Sequence, residues 1–298
     1  MTHSGCNHNY HAHEQSKSKL TIVIILTFIY MLAEFIGGWL TNSLALVADA
    51  GHMLSDVAAL ALSLFAVWLS IKPASSKKTY GYYRTEILAA FINGIALAAI
   101  AIFIIYEAYT RIFHPPEIRA PLMIFIAIGG LIINIIAAFL LHAESQKSLN
   151  IKGAFLHIIG DLLGSAGTVI AGFVILIWKI NLADPIISII IAILVLISAI
   201  GLVNEAINIL LEGSPSYINV ESIKESLLSL EYVDGVHDLH VWSISSKNIA
   251  LSVHVVTKNA DCEAVLCMVD DMIREKFGIN HLTIQIEPVG YHEGICQF

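Results

Sequence analysis

Charged residues are scarce in this chain of 298 residues: Asp, Glu, Lys and Arg make up 13% of it, and hydrophobic residues make up 57%. An average soluble domain has about 25% charged residues, so the composition argues against a purely soluble protein and excludes a disordered or fibrous one. Basic residues are in the minority, 16 against 24 acidic ones. The net charge of −8 argues against nucleic acid as the main partner.

Cysteine is also rare. The four cysteines are scattered and form no CxxC pair, so neither a disulfide framework nor a zinc ribbon is indicated. The first 15 residues are polar and rich in histidine, without an apolar core or a cleavage site of small residues, so we expect no cleaved signal peptide. We expect residues 1–16 to form a flexible histidine-containing tail, which either attracts metal ions or is merely polar.

Long apolar runs fill the first two thirds of the chain. Six of them approach or exceed the length of about 20 residues that a helix needs to cross a bilayer. They are approximately Leu20–Leu40, Leu44–Ile71, Ile87–Tyr109, Leu122–Leu141, Phe155–Trp178 and Pro185–Leu211. We therefore predict a six-helix transmembrane bundle over residues 17–212.

Lysine and arginine are distributed unequally between the two sides of this predicted bundle. Eight lie in the N-terminal segment and in the loops after the second and fourth runs, and three lie in the loops after the third and fifth runs. Loops rich in Lys and Arg stay in the cytoplasm. We therefore expect a multi-pass protein of the inner (cell) membrane with both termini in the cytoplasm.

The composition changes after Leu211 to that of a small soluble domain. A helical pattern over residues 220–230 is followed by β-rich runs over 236–245 and 248–257. A second helix over 261–277, with Asp261 as its N-cap, and a third strand over 281–287 complete the order αββαβ. We predict a small cytoplasmic α+β domain of the ferredoxin-like type over residues 213–298.

Two HxxxD motifs lie inside predicted membrane spans: His52 and Asp56 in the second, and His157 and Asp161 in the fifth. Residues i and i+4 share one face of a helix, so each motif directs an imidazole and a carboxylate to the same side. Two such helices facing each other provide a ligand set that suits tetrahedral Zn²⁺. A charged Asp at the bilayer centre costs at least ~2.5 kcal/mol, so such residues usually mark an ion path. The alternative is that the four residues only join helices by hydrogen bonds.

Other polar residues also lie at membrane depth. Asp49 precedes His52 by about one turn, and we expect it to orient an imidazole or to line the ion path, with simple solvation as the alternative. Four further residues are expected to form hydrogen bonds between helices. They are Glu34, Asn93, Asn134 and Glu205. A place in a proton path is the alternative for Glu34.

The hairpin of the C-terminal domain has a register that follows from its turn. If residues 246–247 form a two-residue turn, His237 lies opposite Val256, and His237 and His254 are diagonal neighbours on one face. The other face, which carries His240, is the better candidate to pack under the two helices. His240 is therefore expected to be a packed core histidine.

The third strand adds Gln285 and Glu287 to the face of His237 and His254. The set His237, His254 and Glu287 is a possible regulatory metal site at a dimer contact, and ordinary surface histidines are the alternative. Gln285 stands in place of a further histidine ligand, which counts against occupancy of the site.

Four segments resemble signature segments of the cation diffusion facilitator transporters: ALVADAGHMLSDVAAL, TYGYYRTEILAAFING, FLHIIGDLLGS and VHDLHVWSIS. The resemblance covers about residues 17–290 and is closest to the zinc-exporting branch. It implies a homodimer that exchanges metal for protons by alternating access, with metal joining the two cytoplasmic domains. It also implies four transport-site ligands, namely His52, Asp56, His157 and Asp161. The histidine at position 52 suggests a preference for zinc.

The predicted function is thus zinc efflux by Zn²⁺/H⁺ antiport, with Zn²⁺ as substrate and possible regulatory ion. A broader exporter of cadmium, cobalt or iron is the alternative. An intramembrane metalloprotease is less favoured because the motif HExxH is absent and four protein ligands leave no open coordination position. A metal-gated channel would more naturally line its pore with rings of ligands. The predicted partners are divalent metals, protons, the lipid bilayer and a second copy of the chain.

Overall fold

A computed structural model describes residues 25–54, 57–58, 76–145, 149–245, 248–258 and 261–291, without the side chains of residues 140–160. The helices and strands within these ranges are numbered in chain order. They are α1 (Ile25–Thr41), α2 (Leu44–Leu54), α3 (Arg84–Phe113), α4 (Ala120–Ser145), α5 (Leu149–Trp178), α6 (Ala183–Leu210), α7 (Val220–Leu228), β1 (Val233–Ser243), β2 (Ile249–Thr257), α8 (Cys262–Phe277) and β3 (His281–Pro288).

Among the residues so described, four helices are long and apolar enough to cross a membrane: α3, α4, α5 and α6. Large apolar side chains such as Phe103, Phe125 and Ile197 are largely exposed on them. Apolar side chains on the outer surface are typical of helices that face lipid. These helices confirm the third to sixth predicted spans. The first two predicted spans include residues 20–24 and 59–71, which lie outside the described part.

The described residues form two compact units, one within residues 1–61 and 92–201 and the other within 62–91 and 202–298. In the first unit, the buried alanines Ala101 and Ala108 of α3 and Ala192 of α6 pack in one cluster with Ala48 of α2. Small side chains allow helix backbones to approach each other closely. This packing supports α2, the helix that carries His52.

The beginning of α2 is held by Asp184, a buried residue in the first turn of α6. The Ser43 hydroxyl donates a hydrogen bond to Asp184 Oδ1 at 2.5 Å, and the Leu44 N–H donates to Oδ2 at 2.8 Å. The Ala45 N–H also donates to Oδ1, at 3.2 Å. These bonds satisfy amides in the first turn of α2 that have no partner within the helix. Asp184 thereby fixes the start of α2, two turns before His52.

The order αββαβ of the C-terminal domain is confirmed by α7, β1, β2, α8 and β3. The sheet has the order β1-β2-β3, in which β1 is antiparallel to β2 and β2 is parallel to β3. Parallel neighbours need a crossover connection, and α8 provides it. Asp261 caps α8 as predicted, and Gly278 ends that helix in the left-handed conformation with φ of 69°.

The core of this domain lies between the helices α7 and α8 and one face of the sheet. Alternate residues of β2 are fully buried in it, as expected for a strand with one covered face. The buried residues of this core include Ile223, Leu227, Leu251, Val253, Val255, Val265, Val269 and Ile273. The opposite face of the sheet is left for polar side chains.

The predicted two-residue turn of the hairpin is wrong. Strand pairing ends at Ser243 and Ile249. The N–H groups of Ile244 and Ser245 both donate to the carbonyl of Asn248. The connection is therefore wider than two residues, and the strands are shifted by one position near the turn.

A β-bulge at residues 238–239 shifts the register again, so that His237 lies directly opposite His254. An inserted residue reverses which side chains face the core. Val236 before the bulge and Val241 after it both pack against the core, whereas His240 is exposed. The prediction that His240 is a core histidine is therefore wrong.

The cap of α8 provides a test of this domain. The Ala264 N–H donates to Asp261 Oδ1 at 3.0 Å. Replacing a capping Asp by Ala costs about 1 kcal/mol, so Asp261→Ala is expected to destabilise α8 locally by that amount. Amide hydrogen exchange in the first turns of α8 should become about fivefold faster.

Asp261→Asn is the matched control because asparagine is an equally good cap. Its exchange should stay close to that of the wild type. Equal exchange rates in the Ala and Asn variants would show that the cap does not hold the helix.

Candidate metal centres

The structure brings together two of the four predicted transport-site residues, His52 of α2 and Asp161 of α5. His52 Nε2 lies 3.0 Å from Asp161 Oδ1, with side chains 22% and 7% exposed. Two ligands bound tetrahedrally to Zn²⁺ at 2.0–2.1 Å are themselves about 3.3 Å apart. The two atoms are thus in direct contact, slightly closer than two ligands of one zinc ion would be.

The other two predicted ligands fall outside the described part of the chain. Residue Asp56 is one, and the side chain of His157 is the other. The helical backbone of α5 does include position 157, one turn before Asp161. The full set of four ligands stays a prediction.

A chain of buried hydrogen bonds lies beside this pair and joins three helices. Asn134 Nδ2 of α4 donates to Ser165 Oγ of α5 at 3.2 Å, and Ser165 Oγ donates to Asp49 Oδ2 of α2 at 3.0 Å. A Cβ at Gly164 would lie only 3.3 Å from Asp49 Oδ1, so the carboxylate packs directly against α5. Asn134 is thus confirmed as an interhelical partner, and the orienting role of Asp49 stays a prediction.

The remaining polar residues at membrane depth do not behave as expected. Glu34 is fully buried, yet neither of its oxygens has a hydrogen-bond partner within the described ranges. The same is true of Asn93 Nδ2. Glu205 is exposed. The prediction of an interhelical hydrogen bond is therefore wrong for Glu34 within the described residues.

A second cluster lies on the open face of the C-terminal sheet and consists of His237, His254 and Glu287. His237 Nε2 is 2.9 Å from Glu287 Oε2, and His254 Nδ1 is 2.9 Å from Glu287 Oε1. Each residue offers a ligand atom, and these atoms lie within 4.8 Å of one another. The three residues are thus close enough to hold one metal ion.

The strand register explains this cluster. His237 and His254 are cross-strand partners, with ring centroids 5.1 Å apart. His254 is in turn paired with Gln285 of β3, and Gln285 Nε2 donates to Glu287 Oε1 at 3.0 Å. Gln285 therefore supports the carboxylate that both histidines contact. The Glu287 side chain is only 3% exposed, and these neighbours satisfy its oxygens away from water.

Asp238 belongs to the same surface and was missed by the sequence analysis. It occupies the bulge with a left-handed φ of 50°. Its Oδ1 lies 2.9 Å from His240 Nε2, and its Oδ2 lies 3.6 Å from His254 Nε2. The hydrogen bond from His240 lowers the pKa of the Asp238 carboxyl. One signal in the sequence indicated the bulge. The apolar residues Val236 and Leu239 are three positions apart, which breaks the strict alternation of apolar and polar residues along a strand.

Comparisons with known proteins assign both parts of the chain to one family. Residues 20–211 match the cation efflux transmembrane domain, and residues 215–289 match the cation efflux protein cytoplasmic domain. A Bacillus velezensis protein named cadmium, cobalt and zinc/H(+)-K(+) antiporter is 44% identical, covering 98% of this chain and 96% of its own. The zinc transporter ZitB of Escherichia coli is 39% identical, with coverages of 99% and 96%.

A solved structure, the metal-bound C-terminal domain of the CzcD transporter from Cupriavidus metallidurans, is 33% identical. The match covers 24% of this chain and 99% of the solved chain, with a TM-score of 0.23.

The two family matches cover most of the chain. They confirm the predicted fold class, a bundle of apolar membrane helices with a small αββαβ domain, and the resemblance to the cation diffusion facilitators. The relatives align over nearly the full length and are transporters. The chain belongs to the cation efflux family and is a multi-pass membrane transporter of metal cations, not an enzyme.

Proposed function

We propose that the protein exports Zn²⁺ from the cytoplasm in exchange for protons, through a tetrahedral site of His52, Asp56, His157 and Asp161. The observation that carries the proposal is the 3.0 Å approach of His52 and Asp161 between α2 and α5. Imidazole nitrogens and carboxylate oxygens are common zinc ligands. The names of the relatives, which include zinc in both cases, support the same substrate.

Selectivity among divalent metals follows from the same ligand set. Affinity at mixed nitrogen and oxygen sites varies gradually along the first-row metals, so geometry decides selectivity. One relative is named for cadmium and cobalt as well as zinc. A broader divalent-metal exporter is therefore the second candidate, and we favour zinc because two imidazoles and two carboxylates suit its tetrahedral coordination.

The exchange with protons follows from the chemistry of the ligands. Metal binding requires neutral imidazoles and ionised carboxylates, so binding releases protons and protonation expels the metal. The ordinary pKa of histidine, about 6.5, allows modest changes in pH to shift this balance. In an alternating-access cycle, Zn²⁺ binds from the cytoplasm, the bundle opens outward, and external protons displace the ion.

The proposed topology places residues 17–212 in the membrane as the transport domain. Residues 213–298 then form the cytoplasmic metal-binding and dimerisation domain, and residues 1–16 form the tail. The excess of Lys and Arg on one side supports cytoplasmic termini in the inner (cell) membrane. The match of residues 215–289 to a cytoplasmic dimerisation domain supports a homodimer.

We also propose a regulatory zinc site at His237, His254 and Glu287. The ligand atoms are already gathered, and a bound cation would neutralise the buried Glu287 carboxylate. Zinc at this position would tighten the dimer and favour transport when cytoplasmic zinc is abundant. The site then works as a sensor of the transported ion.

Zinc flux into proteoliposomes tests the transport site. Asp161→Asn keeps the size of the side chain but removes the anionic ligand, and His157→Ala removes an imidazole. Both variants are expected to reduce zinc uptake driven by a pH gradient to the level of empty vesicles, since an incomplete site cannot hold the ion. Uptake is measured with an internal zinc-sensitive dye.

Glu205→Gln is the control, because Glu205 is an exposed carboxylate at membrane depth outside the proposed site. It should transport normally. Normal uptake by Asp161→Asn or His157→Ala would refute the proposed site.

Calorimetry on the full-length protein tests the regulatory site. With the transport site disabled by Asp161→Asn, His254→Ala is expected to remove one zinc site per chain, since His254 contributes a nitrogen to the cluster. His281→Ala, in the same sheet, is the control and should leave the number of sites unchanged. The same zinc stoichiometry with and without His254 would count against a metal site here.

A further inference from the structure

A pocket of about 500 Å³ lies within the compact unit formed by residues 62–91 and 202–298. Its lining includes residues 77–81 of the segment before α3, Glu212 after α6, and Trp242 of β1. Neither of the two proposed metal centres uses any of these residues. A pocket of this size is large enough to hold a charged headgroup or another small polar ligand. It is called the juxtamembrane pocket below.

The juxtamembrane pocket lies where two membrane helices end. The α3 helix begins at Arg84, which lines the pocket, and α6 ends at Leu210, two residues before Glu212. The two ends pack together, because Ile87 of α3 and Ile209 of α6 are buried in one cluster. The headgroup region of a bilayer begins where apolar membrane helices end. The pocket is therefore at the depth of the lipid headgroups.

The surface near these helix ends suits both parts of a lipid molecule. Leu88 of α3 and Ile207 of α6 are exposed, as expected of side chains that contact acyl chains. Tyr80 and Tyr83 line the pocket and are also exposed. Aromatic side chains of this kind are enriched at the level of the headgroups.

The juxtamembrane pocket carries a positive charge. Three basic residues line it, Lys77, Lys78 and Arg84, against one acidic residue, Glu212. Arg84 Nη2 lies 2.9 Å from Glu212 Oε1, so these two charges compensate each other. Neither lysine has a carboxylate partner in the described ranges, and Lys78 Nζ instead lies 4.2 Å from the centre of the Tyr82 ring. The two ammonium groups are thus available for an anionic ligand.

The segment that carries the two lysines is held in place. The Gly81 N–H donates a hydrogen bond to the Lys78 carbonyl at 2.9 Å, and Gly81 has a left-handed φ of 70°, so the chain turns tightly here. Tyr80 packs edge to face against His281 of β3, with ring centroids 5.7 Å apart. Ordering these side chains before a ligand arrives reduces the entropy lost on binding.

We propose that the juxtamembrane pocket binds the phosphate headgroup of an anionic phospholipid, with Lys77 and Lys78 contacting the phosphate oxygens. Basic clusters next to membrane helices are typical binding sites for anionic headgroups. A free phosphate ion offers the same oxygens, but the exposed apolar helix ends favour a ligand that also carries acyl chains. The inference is independent of the proposed exchange of zinc for protons. Basic residues also occur in such loops because of membrane topology alone, so the test compares these lysines with others.

Native mass spectrometry of the purified full-length protein tests this site. Wild type and Lys77→Gln/Lys78→Gln are titrated with phosphatidylglycerol, and with zwitterionic phosphatidylethanolamine of the same acyl chains. The wild type is expected to bind the first phosphatidylglycerol more tightly than phosphatidylethanolamine. The double variant should bind phosphatidylglycerol about tenfold more weakly, because two positive charges next to the headgroup are lost. Its affinity for phosphatidylethanolamine should not change.

The matched control is Lys224→Gln/Lys258→Gln, which removes two positive charges from the same compact unit but outside the pocket. It should bind phosphatidylglycerol as the wild type does. An equal loss of affinity in both double variants would show that only the net charge matters, and would overturn the proposal. Wild-type affinity for phosphatidylglycerol in Lys77→Gln/Lys78→Gln would overturn it as well.

Trp242 distinguishes a lipid from a soluble anion because it lines the pocket. Its fluorescence is obtained as the difference between the wild type and Trp242→Phe. Phosphatidylglycerol in mixed micelles should change this signal, and inorganic phosphate at the same ionic strength should not. A response to inorganic phosphate without a response to phosphatidylglycerol would indicate a site for a soluble anion and refute the lipid site.

Discussion

The cost of an uncompensated charge away from water determines most of what matters in this structure. At membrane depth each ionised side chain needs a partner, a proton or a metal ion. His52 and Asp161 meet at 3.0 Å, and Asp49 accepts a hydrogen bond from Ser165. A doubly charged cation resolves the same problem in another way, because it replaces protons as the compensating charge. The proposed binding site and the proposed coupling to protons are thus two consequences of one constraint.

The constraint also explains how the site is positioned. The α2 helix begins with three hydrogen bonds to the Asp184 carboxylate, so its first turn is fixed to α6 before the chain reaches His52. Asn134, Ser165 and Asp49 then connect α4, α5 and α2 at the level of the site. The helices that carry the candidate ligands are therefore joined by hydrogen bonds between buried polar groups, and small residues such as Gly164 allow the helices to approach.

Spacing along a helix could be predicted from the sequence, whereas pairing between elements often could not. The i, i+4 pattern of the HxxxD motifs required only helical geometry, and the N-cap at Asp261 required only local chemistry. The predicted hairpin register was wrong because the bulge at Asp238 inserts an extra residue into β1. Strict alternation of side chains along a strand gives no sign of such an insertion. The expected interhelical bond of Glu34 failed for another reason: the residue of α4 that lies against its carboxyl group is Gly130, which has no side chain to donate, and this depends on how α1 packs against α4.

Both metal centres combine a buried carboxylate with imidazoles, and this combination has a common consequence. Glu287 lies between His237 and His254 in the C-terminal domain, as Asp161 lies beside His52 in the membrane unit. In each case the imidazole can compensate the carboxylate by holding a proton, and a metal ion can do so by binding both groups. If both candidate centres bind metal as proposed, protons oppose metal binding in each of them. A regulatory site built from the same chemistry would respond to pH in the same direction as the transport site, so the sensor and the transporter would become occupied under the same conditions.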